Sequence, residues 1–433
     1  MQKRILIISP HFPPINAPDM QRVRMSLPYY KELGWEVEII CVDEQYVEGY
    51  RDDILLETVP ADIIVHKVKA WPVSLTRKLG LGSLSMRSFF QYRKKGNALL
   101  SSGKFDLVFF STTAFHVMAL GPYWKKKYKV PFVLDMQDPW RNDFYLDKPK
   151  HERPPKFFIS YNIDKYLEAR TVPFADAIIS VSKAYCDTFK IRYKNFKDST
   201  CTVIPFGALS QDFIIMEQHR VKAEKIQFDE QKINVVYVGR GGHDMKFALQ
   251  LFFKTLAIGL KQRNDLFKNI HCWFVGTSYA IEGKGTKTIE PIAESENVKE
   301  FVTEITDRIP YFETLALLKK ATILFIPGST DTGYTASKIY PYILAKKPLL
   351  ACFHKDSSVV DILHQSKVGQ LVTFENEDVS TGTLVKEMYE KLCYLLVHKD
   401  DQHQYDLTGF SPYTAEEMTR KLVAVFNDVI KRD

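Results

Sequence analysis

Short apolar runs alternate with longer stretches of helical spacing over most of the chain. In the first half the runs are RILIIS (4–9), EVEIICV (36–42), DIIVHKV (62–68), LVFFST (107–112), FVLDM (132–136), AIISVS (177–182) and CTVIPF (201–206). A second series follows: INVVYVG (233–239), IHCWFVG (270–276), VKEFVTEI (298–305), TILFIPG (322–328), PLLACF (348–353) and GQLVTF (369–374). Between them lie segments such as MQRVRMSLPYYKELGW and MKFALQLFFKTLAIGLKQR, whose apolar residues recur at the helical period.

This alternation predicts an α/β chain built from parallel sheets flanked by helices. Two such half-chains imply two Rossmann-like parallel-sheet domains facing across a cleft, the first over 1–207 and the second over 208–411. Residues 208–232 carry few strand signals and read as a linker with an insertion. The final SPYTAEEMTRKLVAVFNDVI is an amphipathic helix opened by a capping box, and residues 412–433 are expected to pack back on the first domain.

A length of 433 residues, 45% of them hydrophobic, is enough for two cores of this kind. No apolar run reaches the roughly 18 residues of a membrane-spanning helix. The opening MQKRILIISPHFPP has too short an apolar core for a secretory signal and reads as a first buried strand. The six cysteines (41, 186, 201, 272, 352 and 393) are scattered without a CxxC pair. That predicts reduced thiols in a cytoplasm, with neither a disulfide framework nor a structural zinc site.

The net charge of +7 is unevenly spread: between Ile63 and Phe105 there are nine Lys or Arg residues and no Asp or Glu. Apolar residues interleave with them in WPVSLTRKLGLGSLSMRSFFQYRKKG, and a second basic cluster, YWKKKYK, spans Tyr123–Lys129. One reading is a solvated face. The other is a surface resting on anionic lipid through residues 67–104, including Arg77, Lys78, Arg87 and Arg93–Lys95, on the inner face of the plasma membrane. No nucleic-acid module accompanies the charge, so nucleic acid is not expected as a partner.

In open parallel sheets, ligands bind beyond the carboxyl ends of the strands. After the first strand comes SPHFPPINAPDMQR, with no glycine between Ser9 and Gly34. The missing GxGxxG argues against nicotinamide or flavin binding. The loop instead offers His11, Asn16, Asp19, Arg22 and Arg24 to a polar, phosphorylated or sugar-bearing substrate. After the fifth strand stands LDMQDPWRNDFY, where Trp140 beside Asp135 and Asp138 suits a sugar: the ring covers its apolar face and a carboxylate accepts its hydroxyl protons. The alternative is that Asp138 only caps the turn before Trp140.

The second domain opens VVYVGRGGHDMK. Gly239, Gly241 and Gly242 free the backbone, while Arg240 and Lys246 bring positive charge to a helix start, a fit for a diphosphate. About a hundred residues on, TASKIYPYILAKKPLLA sets Ser337, Lys338 and Tyr340 at a second helix start, with Pro341 in the first turn, where proline is tolerated. Two such sites can clamp one diphosphate from two sides.

With these motifs in order, the chain resembles the GT-B fold glycosyltransferases of family 4, which transfer sugar from nucleotide-sugar donors with retention of configuration. The resemblance runs nearly end to end, through ISPHFPP, LGWEVEIICV, LDMQDPW, ADAIISVS, VIPFG, VVYVGR, CWFVG, RIPYFETLALLKKATILFIPG and SKIYPYILAKKPLLA. It implies that Arg240 and Lys246 bind the donor diphosphate, that Gly276 and the Ile309 and Tyr311 loop lie near the nucleotide, and that Asp138 touches the donor sugar. His11, Asn16, Arg22 and Trp140 fall on the acceptor side. Two family glutamates fall on Gly333 and Pro341, so both carboxylates are missing; Asp331 stands two residues from the first.

No Asp-x-Asp pair occurs, so the resemblance implies metal-independent chemistry with no cofactor beyond the nucleotide-diphosphate sugar. The expected partners are that donor, a glycan or lipid-linked acceptor, and the anionic membrane surface, in surface polysaccharide or glycoconjugate biosynthesis. A second reading stays open: a degenerate GT-B protein that binds nucleotide or glycan without turnover.

Overall fold

The structure, a computed structural model, describes the chain except residues 1, 77–81, 144, 147, 154–155, 195, 197–199, 281, 332–336, 376–380, 402–406 and 432–433. It divides into two compact units, one of Met1–Leu209 with Tyr413–Asp433 and one of Ser210–Pro412.

The first unit holds a seven-stranded parallel sheet: β1 Lys3–Ile8, β2 Trp35–Val42, β3 Ile64–Val68, β4 Leu107–Ser111, β5 Phe132–Met136, β6 Ala177–Ser180 and β7 Cys201–Val203, in spatial order β3-β2-β1-β4-β5-β6-β7. Its helices are α1 Gln21–Ser26, α2 Leu84–Leu100, α3 Leu120–Tyr128, α4 Phe157–Thr171 and α5 Lys183–Arg192. Strand side chains alternate between two cores. Ile5, Ile7, Ile39 and Phe109 enter one, and Leu6, Ile8, Ile40 and Phe110 enter the other. The C-terminal helix, Ala415–Ile430, supplies Met418, Leu422, Phe426 and Val429 to the first core, and Phe426 lies against Tyr30, Trp35 and Phe109. Thr414 caps that helix by accepting from the Glu417 N–H at 3.2 Å, as the T-x-x-E spacing predicts.

The second unit opens with α6 Gln211–Gln218 and holds a six-stranded parallel sheet: β8 Ile233–Val238, β9 Ile270–Val275, β10 Val302–Ile305, β11 Ile323–Pro327, β12 Leu349–His354 and β13 Gln370–Phe374. The order is β10-β9-β8-β11-β12-β13. Its helices include α7 Lys246–Gln262, α8 Tyr311–Lys320, α9 Ile339–Leu344, α10 Ser358–Ser366 and α11 Thr381–Val397. In both sheets the chain leaves the central strand to one side and returns on the other. The strand order therefore reverses between β1 and β4 and again between β8 and β11, where a doubly wound sheet opens a crevice for ligands.

Two expectations change. Residues 208–232 are not all linker, because α6 buries Phe213, Ile215 and Met216, which a short helix without strand-like runs does not advertise. The cysteines are not all reduced: Cys186 on α5 and Cys201 on β7 form a disulfide, leaving Cys41, Cys272, Cys352 and Cys393 as free thiols. The edge strand returns beside the helix that precedes it, a proximity that spacing along the chain cannot reveal.

Candidate donor and acceptor sites

In the second unit, the loop after β8 is fixed by backbone bonds to its neighbour: the Gly239 N–H donates to Val275 O at 2.9 Å and the Gly241 N–H to Thr277 O at 2.8 Å. Gly276, at φ +74°, turns the chain after β9 in a conformation that favours glycine. Lys338 comes to this loop from the far side of the sheet's switch point. Its ammonium donates to the Tyr237 hydroxyl at 3.0 Å and lies 5.2 Å from the centre of the same ring. Two residues of the TASKIYPYILA stretch thus reach β8, for the Tyr342 hydroxyl both accepts from Val238 N–H at 2.7 Å and donates to Val238 O at 3.2 Å.

Arg240 is not an open clamp. Its guanidinium holds Asp244 bidentately at 2.9 and 2.7 Å, and that hydrogen bond keeps the Asp244 carboxyl below the usual carboxylate range. Asp244 sits four residues on, and sequence reading passed over it. Burial lowers the Lys338 pKa to about 7, with the positive charges of Arg240 and Arg308 pushing the same way and Asp244 opposing. Lys246 is exposed as the first residue of α7. Ser337 is exposed beside α9, and α9 is only six residues long, so this element supplies the charge of Lys338 rather than a helix dipole. Pro341 is its third residue, within the turn whose amides lack intrahelical partners.

Other donor-side expectations take structural roles. Tyr340 is buried against Phe410, with ring centres 6.1 Å apart, because Ile339, Tyr340, Tyr342 and Ile343 of this helix all face inward. The Tyr311 hydroxyl donates to buried Asp212 at 2.6 Å, tying α8 to α6. Ile309 is half-buried, next to exposed Arg308, whose guanidinium stacks 4.8 Å from the Tyr279 ring centre. Gly333 lies outside the described residues.

In the first unit the switch point is closed by Asp19. It accepts from Thr112 Oγ1 at 2.7 Å and Thr113 N–H at 3.1 Å, and its Oδ1 lies 2.9 Å from His11 Nδ1. Burial alone would raise the Asp19 pKa; the His11 contact and the two threonines outweigh it and lower the value. Asp138 is exposed after β5, and its carboxyl is pushed up by desolvation and then by the Asp19 charge. A cavity of about 390 Å³ is lined by His11, Ser85, Phe115, His116, Trp140 and Asp164 among others. Within it, His116 bonds Ser85 Oγ through Nδ1 at 2.8 Å and Asp164 through Nε2 at 3.0 Å. Sequence reading missed this trio; only the position of His116 after the end of β4 could have signalled it.

Three acceptor-side expectations are corrected. Arg22 is wholly buried, donating to Asp135 Oδ2 at 2.8 Å and to Ile204 O at 2.7 Å, so its charge is spent inside the domain. Trp140 is buried with Phe115 stacked on it at 5.8 Å, which leaves its ring no open platform for a sugar, although it lines the cavity. Asn16 belongs to a two-residue ladder with Tyr50 and lies outside the cavity lining.

Residues 23–208 match the model of Glycosyltransferase Family 4. No curated protein sequence matches the chain. Solved structures similar to it include a glycosyltransferase from Rickettsia africae, 13% identical with a TM-score of 0.58 and 100% of each chain covered. Anabaena HepE in complex with UDP and glucose is 13% identical at a TM-score of 0.56, over 98% of this chain and 100% of that one. A UDP-forming α,α-trehalose-phosphate synthase from Burkholderia xenovorans, in complex with glucose-6-phosphate, is 10% identical at a TM-score of 0.60, over 98% and 100%. At these identities the structures speak for the fold alone. Residues 23–208 thus match the Glycosyltransferase Family 4 model, and the chain as a whole has an α/β fold similar to that of these solved glycosyltransferases.

Proposed function

We propose that the protein moves a sugar from a nucleoside-diphosphate sugar to a glycan or lipid-linked acceptor, with retention of configuration and without a metal, in the assembly of surface polysaccharide or another glycoconjugate. The observation that carries this reading is the convergence of Lys338 on the Gly239–Arg240 loop at the carboxyl end of β8. There a diphosphate meets a lysine ammonium and an arginine that it can win from Asp244, with Lys246 at the start of the following helix. Preorganised positive charge of this kind can stabilise the departing nucleoside diphosphate by several kcal/mol, which is the role a metal would otherwise fill. For retention, the acceptor attacks on the face the leaving group vacates, and the leaving phosphate oxygen takes the acceptor proton. Asp138 then positions the donor sugar, while His11 and the cavity beside it receive the acceptor.

Anabaena HepE was solved with UDP and the Burkholderia synthase is UDP-forming, so UDP is the first nucleotide to expect here. Thermal shift with UDP, GDP, ADP and TDP side by side tests this. Stabilisation by UDP, together with slow release of UDP from a UDP-sugar, supports transfer. Stabilisation by none of the four removes the reading.

A further inference from the structure

We propose that the outer face of the helical layer α2–α3–α4 is a docking surface for an anionic lipid bilayer. The three helices cover one side of the first unit's sheet and share its core through Tyr92, Trp124 and Val172 near their inner faces. They are tightly joined. A side chain at Gly96 on α2 would meet the Trp124 indole of α3 at 2.2 Å, and Trp124 Nε1 donates to Asn97 Oδ1 at 3.1 Å. The Arg93 guanidinium lies 4.6 Å from the Tyr123 ring centre, and Lys125 Nζ donates to Phe174 O, just beyond α4, at 3.3 Å. These contacts hold α2 against α3, and α3 against the turn that follows α4.

Five large apolar side chains on this face, Phe90, Phe158, Ile159, Tyr166 and Phe174, are each more than half exposed (54–62%). Three of them, Phe158, Ile159 and Tyr166, stand on the exposed side of the one helix α4, and apolar side chains gathered in this way mark an interaction site. The exposed charge of the three helices has one sign, although Lys125 pairs with Asp176 beside Phe174 and Glu152 stands exposed ahead of α4. On α2, α3 and α4 every exposed Asp, Glu, Lys or Arg is basic: Arg93, Lys94, Lys126, Lys127, Lys165 and Arg170. The two acids of α4 turn inward, Asp164 to His116 at 3.0 Å and Glu168, fully buried, to Arg192 at 2.8 Å. Aromatic and aliphatic side chains ringed by lysine and arginine fit the boundary between acyl chains and acidic headgroups. Nucleic acid would use the cations but offers Ile159 and Phe158 nowhere to bury.

This surface differs from the basic stretch 67–104 read from sequence. There, Arg87 is buried on Trp71 O and Tyr46 O, Lys67 is paired with Glu44 at 2.7 Å, and Arg77 and Lys78 lie outside the described residues. Only its later part, around Phe90–Lys94, shares the face, and α4 adds what the charge count never indicated. The inference does not rest on the transferase reading, since its test measures attachment and not turnover.

Co-sedimentation of the full chain with phosphatidylcholine vesicles, with and without phosphatidylglycerol, tests it. Two variants accompany the wild type, Phe158→Ser/Ile159→Ser/Tyr166→Ser and Lys126→Glu/Lys127→Glu/Lys165→Glu; all six positions are exposed, so the fold does not depend on them. The expected result is binding to phosphatidylglycerol vesicles that weakens with salt and falls by roughly tenfold or more in each variant. Equal binding to both vesicle types, no binding to either, or variants that sediment like the wild type would overturn the proposal. So would retention on duplex DNA by a chain that ignores the vesicles.

Discussion

The ammonium of Lys338 lies 3.0 Å from the hydroxyl of Tyr237, 101 residues earlier in the chain. That hydroxyl in turn donates to the carbonyl of Arg240 at 2.9 Å. The tyrosine is buried, so it acts as a fixed post that holds the lysine at the mouth of the glycine loop. This relay connects a helix start after β11 to the loop after β8, and it sets the electrostatics of the second unit's site.

The first prediction concerns pH. Burial and the neighbouring arginines lower the folded-state pKa of Lys338 to about 7 from an ordinary 10.5. The folded state thus disfavours the ammonium, and the stability cost of holding it, full below about pH 7, is relieved as pH rises from there towards the unfolded value. A bound diphosphate reverses the preference and raises the pKa again. Nucleoside diphosphate affinity should therefore be highest below pH 7 and fall above it, by at most about tenfold per pH unit. Calorimetry in buffers of different ionisation heat should register proton uptake on binding between pH 7 and 9. Lys338→Met should weaken binding and flatten the pH profile; a profile unchanged by this substitution would refute the assignment.

The second prediction concerns the space around that ammonium. A Cβ at Gly239 would come within 2.4 Å of Lys338 Nζ and 2.7 Å of the Tyr237 hydroxyl. The first of these atoms ends a flexible side chain and can yield, but the buried Tyr237 ring cannot, so Gly239→Ala should lower Tm measurably as well as push the lysine off its post. We expect nucleotide affinity to drop about tenfold, the loss of one charge-assisted contact. A large fall in Tm with unchanged affinity per folded molecule would show that the glycine serves the fold instead.

How far the sequence discloses this site depends on whether the relevant information is local. All thirteen apolar runs are strands of the two sheets: the central parallel strands are buried on both faces, which writes itself into consecutive residues, and the partly exposed edge strands keep enough apolar residues to follow them. Gly239, Arg240 and Lys338 were legible for a related reason: glycine and a cation at a strand end are informative without knowledge of neighbours. Tyr237 and Asp244 were not, since a tyrosine in a strand looks like core and an aspartate beside a helix start looks like a cap. Arg22 and Tyr340 show the opposite failure. Their chemistry suggested ligands, but residue type cannot say that a guanidinium is already consumed by Asp135, or that a ring is packed on Phe410. The α4 surface is not legible because apolar residues lie all round this helix, so residue type cannot tell buried Phe157 and Tyr161 from exposed Phe158, Ile159 and Tyr166.

The third prediction separates catalysis from folding on the acceptor side. Asp138 is exposed, and its carboxyl is raised above 3.8 by desolvation and by the charge of Asp19. If its carboxylate positions the donor sugar, the acid limb of kcat should lie above the ordinary aspartate range. Asp138→Asn should lower kcat by about a hundredfold, with a small change in Tm and nucleotide affinity retained. Asp19→Asn removes the like charge and should move the same limb to lower pH. An acid limb that ignores both substitutions would leave Asp138 with only the role of ending its turn.

The last prediction concerns Arg22 and Asp135, whose side chains are both wholly buried and meet at 2.8 Å. The guanidinium also donates to Ile204 O and Pro205 O and stacks 4.8 Å from the Phe206 ring centre, so it joins α1 and β5 to the chain after β7. Asp135 accepts in addition from Ser111 Oγ at 2.7 Å and Gln137 Nε2 at 2.8 Å. Breaking such a pair from one side leaves a buried charge uncompensated, so Arg22→Met should destabilise the protein by about 3–5 kcal/mol. Removing the orphaned charge as well, in Arg22→Met/Asp135→Asn, should recover part of that loss, because the asparagine can still bond Ser111 and no ionised group remains. Chemical denaturation of the three proteins measures the difference directly. Acceptor KM per folded molecule should stay near the wild-type value in both variants; a stable Arg22→Met protein with a sharply raised acceptor KM would return this arginine to the acceptor site.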